Sequence, residues 1–395
     1  MNSLTLPSGF RYASAFAGIR REDRADVALI VADAPAQAAA VFTTNVVQAA
    51  PVQLSRKHLR QSGGKVSAIL INAGNANCAT RTGMQVALES AKAVASALKT
   101  RTEYVLTAST GVIGVELEPK PLLEAVPKLV QALSGDQFYE VAKAMMTTDT
   151  RPKVASEELD IEGRSVRVAG MTKGSGMIHP NMATTLGFLM TDAVLPSSVL
   201  REMLSSGLES SFHALTVDGD TSTNDMVALL ASGASLVKPL GKNRERVAHA
   251  VRAVLESLAE QIAADGEGAT RLVVIEAVGF STNEDARKVA RAIANSPLVK
   301  TAVAGCDPNW GRVLAAAGYS GVSFDPTRID IDMQGVPVCR GGLAVELNED
   351  SLKRRLDEHR VDIRVELRRG GKGQARFYTC DLTEGYIRIN GSYRT

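Results

Sequence analysis

Ala183-Thr184 stands between a glycine-punctuated loop, Lys173-Gly174-Ser175-Gly176, and an apolar run at residues 186–190. A threonine hydroxyl inside a chain is a poor nucleophile and needs an adjacent base. A cut before Thr184 would place a new α-amino group, of pKa about 7.7–8.0, beside the hydroxyl of the same residue. That is the N-terminal-threonine route to an activated nucleophile. Ala183 would leave the scissile carbonyl accessible, and a tight turn can strain such a peptide toward an N-to-O acyl shift. The plainer reading is a threonine that opens a strand. Thr110-Gly111 lies in a second small-residue segment, 109–114, after a strand candidate. Such segments leave backbone N–H groups unobstructed, as an oxyanion site requires. No Gly-Lys-Ser/Thr follows, so the phosphate-loop pattern is absent.

Other polar stretches admit two readings each. Asn72, Asn75 and Asn77 either brace a tight turn or line a polar ligand with amides. Thr147, Thr148, Asp149 and Thr150 either cap a helix or face a pocket. Asp218, Asp220 and Asp225 suggest a calcium loop, but the glutamate that an EF-hand places downstream is missing. His179 reads as a loop histidine, with a base in self-cleavage as the alternative. Cys78, Cys306, Cys339 and Cys380 form no CxxC pair and no paired histidines accompany them, so no metal site is expected.

These residues must be positioned by a mixed set of elements. Strand patterns fall at 25–32 and 38–42 across a Pro-containing turn, and at 65–71, 104–108, 166–169, 186–190 and 271–277. Further strand patterns fall at 327–333, 361–367, 376–382 and 385–389, with residues 369–373 as a hairpin turn. Helical spacing covers 84–98, 136–146, 198–212, 243–264 and 282–295, the last opened by Thr282 with Asp285 three residues on. Gly266 and Gly268 stop the 243–264 helix, with Glu267 between them. Without strict alternation, a 20–50-residue repeat or a linker, the class is α/β or mixed α+β. Helices are expected to layer on sheets in two lobes.

Hydrophobic residues make up 45% and charged residues 22%, as in an ordinary soluble globular chain. A net charge of +2 gives no reason to expect nucleic acid or an anionic membrane as partner. No apolar run approaches the ~18 residues of a membrane span, and no signal sequence opens the chain. These features predict a cytoplasmic, reduced protein.

Nine motifs occur together and in order: Thr43-Thr44-Asn45, then 72–77, 109–114, 147–150, 173–186, 217–225, 265–270, 307–312 and 390–395. This set resembles the ornithine acetyltransferase family, also called bifunctional glutamate N-acetyltransferase/amino-acid acetyltransferase, of arginine biosynthesis. The resemblance implies self-cleavage between Ala183 and Thr184, giving an α chain of residues 1–183 and a β chain of 184–395. It implies the fold of self-processing N-terminal-threonine acetyltransferases and an α2β2 assembly. Thr184 would be the nucleophile and carry the acetyl group, and Thr110 and Gly111 would stabilise the oxyanion. Thr150, Lys173, Thr184, Glu267, Asn390 and Thr395 would contact substrate. Lys173 suits an α-carboxylate and Glu267 an ammonium group. Position 185 is Thr where the family often has Met, and position 179 is His where Ala is frequent.

The implied reaction moves the acetyl group of N2-acetyl-L-ornithine to L-glutamate, giving L-ornithine and N-acetyl-L-glutamate. No bound cofactor is expected, and acetyl-CoA enters only as a possible acetyl donor. Two other readings keep the fold. In one the chain is an amidase or aminopeptidase with water as acceptor, and in the other it is a non-catalytic ligand-binding homologue.

Overall fold

The computed structural model describes residues 4–20, 22–179 and 185–392. Ala183, Thr184 and Thr395, and with them the expected cleavage point, lie outside the described residues.

Two sheets organise the described chain. The first holds β1 (Phe10–Ala15), β2 (Val27–Phe42), β3 (Lys65–Asn75), β4 (Val105–Val112), β5 (Lys153–Ile161), β6 (Arg164–Lys173), β7 (Leu186–Thr191) and β8 (Met226–Ala231). Its order is β4-β3-β2-β8-β7-β6-β5, with β1 paired to β2. The second holds β9 (Leu272–Phe280), β10 (Ile329–Met333), β11 (Val336–Arg340), β12 (Leu343–Ala344), β13 (Arg360–Leu367) and β14 (Gly373–Cys380), in the order β12-β11-β10-β13-β9-β14. β7 and β8 are buried at every position, as continuous apolar strands at the centre of a covered sheet are. Both follow residue 183, yet they lie between β2 and β6, which precede it. The segments on the two sides of that point therefore share one sheet.

Helices layer on these sheets. Ser197–Glu209 and Gly241–Ala264 pack Leu200, Leu204, Val254 and Leu258 against Val168, Leu189 and Leu229. Contact is so close at β6 that a Cβ on Gly170 would stand 2.9 Å from Val254. Residues Tyr12, Ile30, Ile69, Leu106, Phe138 and Phe188 form another core cluster of this sheet. Asn283–Ala294, Pro297–Ala304 and Trp310–Gly318 cover the second sheet over Ile275, Ile331, Ile363 and Phe377. Thr282 caps the first of these helices, its hydroxyl accepting the Asp285 amide, as the capping pattern predicts.

Three expectations are corrected. The two strands read at 25–32 and 38–42 are one strand, β2, which runs through Pro35. The β2–β3 register shifts between Val31 and Ala36, and a proline without an N–H is tolerated where the ladder is interrupted. Residues 369–373 do not join a hairpin, because β9 lies between β13 and β14, parallel to the first and antiparallel to the second. The glycines instead let the chain cross the end of β9: the Gly371 amide donates to the Gly279 carbonyl at 2.8 Å, and a Cβ on Gly370 would meet that oxygen at 1.8 Å. Residues 385–389 are not a strand but part of the Glu384–Ser392 helix. Its first turn is fixed by Thr383, whose hydroxyl accepts the Gly385 amide and donates to the Gly268 carbonyl.

Candidate active site

The end of β6 and the start of β7 pair at Lys173–Leu186, and Leu186 pairs in turn with Met226 at the start of β8. This register brings the chain immediately after position 184 beside Lys173 and Asp225. The Thr185 amide donates to Asp225 Oδ1 at 3.1 Å, and the Met226 amide donates to the Thr185 carbonyl at 3.0 Å. The Thr185 hydroxyl is buried, 2.7 Å from both Thr172 Oγ1 and the Lys173 carbonyl.

A cleft opens here, with about 730 Å³ of empty space when its open mouth is included. Thr110, Gly111, Lys173, Glu267 and Asn390, far apart in sequence, all line it. Thr110 and Gly111 lie at the end of β4, where its parallel pairing with β3 shifts register at Asn75. Gly111 has φ +126°, and a Cβ there would fall 2.3 Å from the Gly74 carbonyl carbon. Only glycine meets both conditions, so this segment's backbone approaches β3 more closely than any side chain permits.

The asparagines of 72–77 brace rather than line. Asn72 Nδ2 donates to the Asn75 carbonyl, Asn75 Nδ2 to the Val115 carbonyl and Asn77 Nδ2 to the Gly83 carbonyl. Asn224 adds the cross-tie, its Nδ2 bonding the carbonyls of Ala76 and Ser109 at 2.7 and 2.8 Å. This connection between the 217–225 run and the Thr110-Gly111 end of β4 is absent from any local sequence pattern.

Lys173 is buried, and among the described residues its ammonium has no ion-pair partner. Burial pushes its pKa below the ordinary lysine value, with Asp149 and Asp225 opposing that fall. Burial likewise pushes the Asp225 carboxyl well up, against the Thr185 amide and Lys173. Asp149 goes the other way. Burial raises it, but Lys153, Lys173 and the Gly174 amide outweigh that and hold it below the usual carboxylate range. Glu267 faces the same cleft and accepts a 2.7 Å hydrogen bond from Asn390 Nδ2. A Cβ on Gly176 would lie 2.3 Å from the Glu267 carboxyl, so a glycine at 176 leaves that group its place.

Thr150 is not among the lining residues. It is exposed, its amide donates to Asp265 Oδ2 at 3.0 Å and its hydroxyl to Asp265 Oδ1, while Thr147 and Thr148 face the cleft instead. Sequence reading missed Tyr386 and the place of Asp218. Asp218 accepts the Met177 and Ile178 amides at 2.7 and 2.9 Å and the Tyr386 hydroxyl at 3.3 Å. Among the described residues no three His, Cys, Asp or Glu side chains gather as a metal site. His179 does not line the cleft, and burial lowers its pKa. Asn309 caps the Trp310–Gly318 helix away from the cleft.

The ArgJ family profile matches residues 11–395. The arginine biosynthesis bifunctional protein ArgJ of Symbiobacterium thermophilum is 46% identical over 398 residues, covering 99% of this chain and 98% of that protein. The protein of the same name from Chlorobaculum tepidum is 45% identical over 391 residues, covering 98% and 96%. The crystal structure of arginine biosynthesis bifunctional protein ArgJ from Bacillus halodurans is similar with a TM-score of 0.51 and 39% identity, covering 52% of this chain and 98% of that one.

Proposed function

The chain belongs to the ArgJ family, and we propose that its cleft carries out the family's acetyl transfer in arginine biosynthesis through Thr184. In this reading Thr184 Oγ attacks the acetyl carbonyl of N2-acetyl-L-ornithine while its proton passes to the free α-amine of the same residue. The oxyanion is held by Thr110 and Gly111, and the α-amine returns the proton to the departing nitrogen of L-ornithine. L-Glutamate then attacks the acetyl-threonine in the reverse sequence and leaves as N-acetyl-L-glutamate.

The observation that carries the proposal is one cleft lined by Thr110, Gly111, Lys173 and Glu267, opening where Lys173 pairs with Leu186. The Lys173 ammonium, without an ion-pair partner among the described residues, suits the substrate carboxylate, and Glu267 and Asn390 suit its ammonium or amide groups. Thr185 has its hydroxyl committed to Thr172 and the Lys173 carbonyl, which favours a cut before Thr184 over one before Thr185. The Bacillus halodurans chain is matched over 98% of its length by 52% of this one, close to the share that a 184–395 product would make up. Strands β7 and β8 would keep the two products in one sheet, and α2β2 is the assembly we assign.

Denaturing electrophoresis tests the proposal. Two chains, each about half of 41.8 kDa, are expected from active protein, and an intact Thr184→Ala chain should be inactive. A single uncut chain that transfers acetyl groups would overturn the mechanism. Acetyl release from N2-acetyl-L-ornithine without glutamate would mark a hydrolase, and glutamate acetylation from acetyl-CoA alone would extend the donor range, as the relatives' name "bifunctional" suggests.

A further inference from the structure

Lys153 opens β5, lies fully buried and does not line the cleft. Its ammonium stands 2.6 Å from Asp149 Oδ1 and 2.5 Å from Asp265 Oδ2. Asp149 and Asp265 belong to segments that supply different walls of the cleft, Thr147 and Thr148 on one side and Glu267 on the other. Asp149 Oδ1 accepts the Gly174 amide at 2.7 Å, one residue beyond Lys173, and Oδ2 accepts the Thr147 amide at 2.9 Å. Asp265 stands two residues before Glu267, and its carbonyl accepts the Ser175 hydroxyl at 2.6 Å. The Glu267 amide donates to the Ser175 carbonyl at 2.9 Å and closes the ring.

We propose that Lys153 is a positioning residue for acetyl transfer, whose buried ion triad with Asp149 and Asp265 sets the separation of Lys173 and Glu267 across the cleft. The inference rests on those two residues being the substrate contacts. Charge supports it. One ammonium between two carboxylates leaves an excess negative charge that Lys173, coupled to Asp149, offsets. Asp149 and Asp265 come from segments on opposite sides of the proposed cut, so the triad also fixes the register of the two products. Removing the ammonium leaves two buried carboxylates without their counter-charge, and their repulsion pushes apart the end of β6 at Lys173 and the loop bearing Glu267.

Steady-state kinetics of Lys153→Met and Lys153→Arg test the role. Lys153→Met should raise KM for both N2-acetyl-L-ornithine and L-glutamate by at least about tenfold with kcat much less changed, and Lys153→Arg should recover most of the loss. The alkaline limb of kcat/KM should also move upward in Lys153→Met, because Lys153 depresses the Lys173 ammonium whereas Asp149, Asp225 and Glu267 favour it. A folded Lys153→Met protein with wild-type KM values and an unmoved limb would overturn the proposal. Should it fail to fold, Lys153→Met/Asp265→Asn, which removes one charge of each sign, is read by the same criteria, and collapse of that variant too would overturn it by marking a purely structural role. Wild-type protein inactive in transfer would count against the function reading instead. Ornithine binding by calorimetry would then decide for Lys153, with about tenfold weakening in Lys153→Met expected and unchanged affinity overturning it.

Discussion

Lys173 and Glu267 face the same cleft with opposite charges, and neither is ion-paired among the described residues. Their loops are joined through backbone, the Glu267 amide donating to the Ser175 carbonyl at 2.9 Å. In the proposed function this pair of opposite charges receives a zwitterionic substrate.

Lys173→Met and Glu267→Gln should therefore weaken substrate binding more than turnover. A hydrogen bond to a charged group contributes about 1.5–3 kcal/mol, so KM should rise roughly ten- to hundredfold. Steady-state kinetics with each substrate varied in turn measures this.

The alkaline limb of kcat/KM should fall below the ordinary lysine value of 10.5, since burial depresses Lys173 and only its charged form binds a carboxylate. Activity is lost as pH rises through that lowered value. Asp225 favours the ammonium, so Asp225→Asn should move the limb to still lower pH. A pH–rate profile of the two proteins checks both the direction and the sign of the change.

Gly176→Ala should leave the fold intact and raise KM, because the new methyl meets the Glu267 carboxyl, the end of a flexible side chain. Gly111→Ala is harsher, since its φ is positive and the obstruction is backbone. We expect kcat to drop by about 10²–10³, the loss of one oxyanion donor, with thermal melts and kinetics read together.

Acid stability should carry the mark of Asp149. Its folded pKa lies below the usual 3.8, so its contribution is complete above that value and is lost as pH falls through the lower one. Melting temperatures from pH 5 to pH 2 should fall less steeply in Asp149→Asn than in wild type, from a lower starting point because a buried pair has been broken.

Much of this was legible in the residues themselves. The apolar run at 186–190 is β7, the amphipathic 243–264 stretch is a helix, and Thr282 caps where its spacing with Asp285 says it should. The apolar run at 226–231 could have disclosed β8 in the same way. These signals are local: side-chain period and capping chemistry involve residues within a few positions of one another. The motifs 109–114, 173–186, 265–270 and 390–395 also named in advance the segments that supply the cleft.

Only the tertiary structure decided how they meet. β9 separates β13 from β14 by pairing with residues 88 to 108 positions away, and no local alternation encodes that partner. The Glu384–Ser392 helix has no buried residue, so its apolar spacing could not distinguish it from a strand. Its docking on Gly268 did. Lys153 illustrates the same limit: in sequence it is one lysine at the head of a strand. Its role follows from two carboxylates 4 and 112 residues away, which the fold alone brings within hydrogen-bond reach.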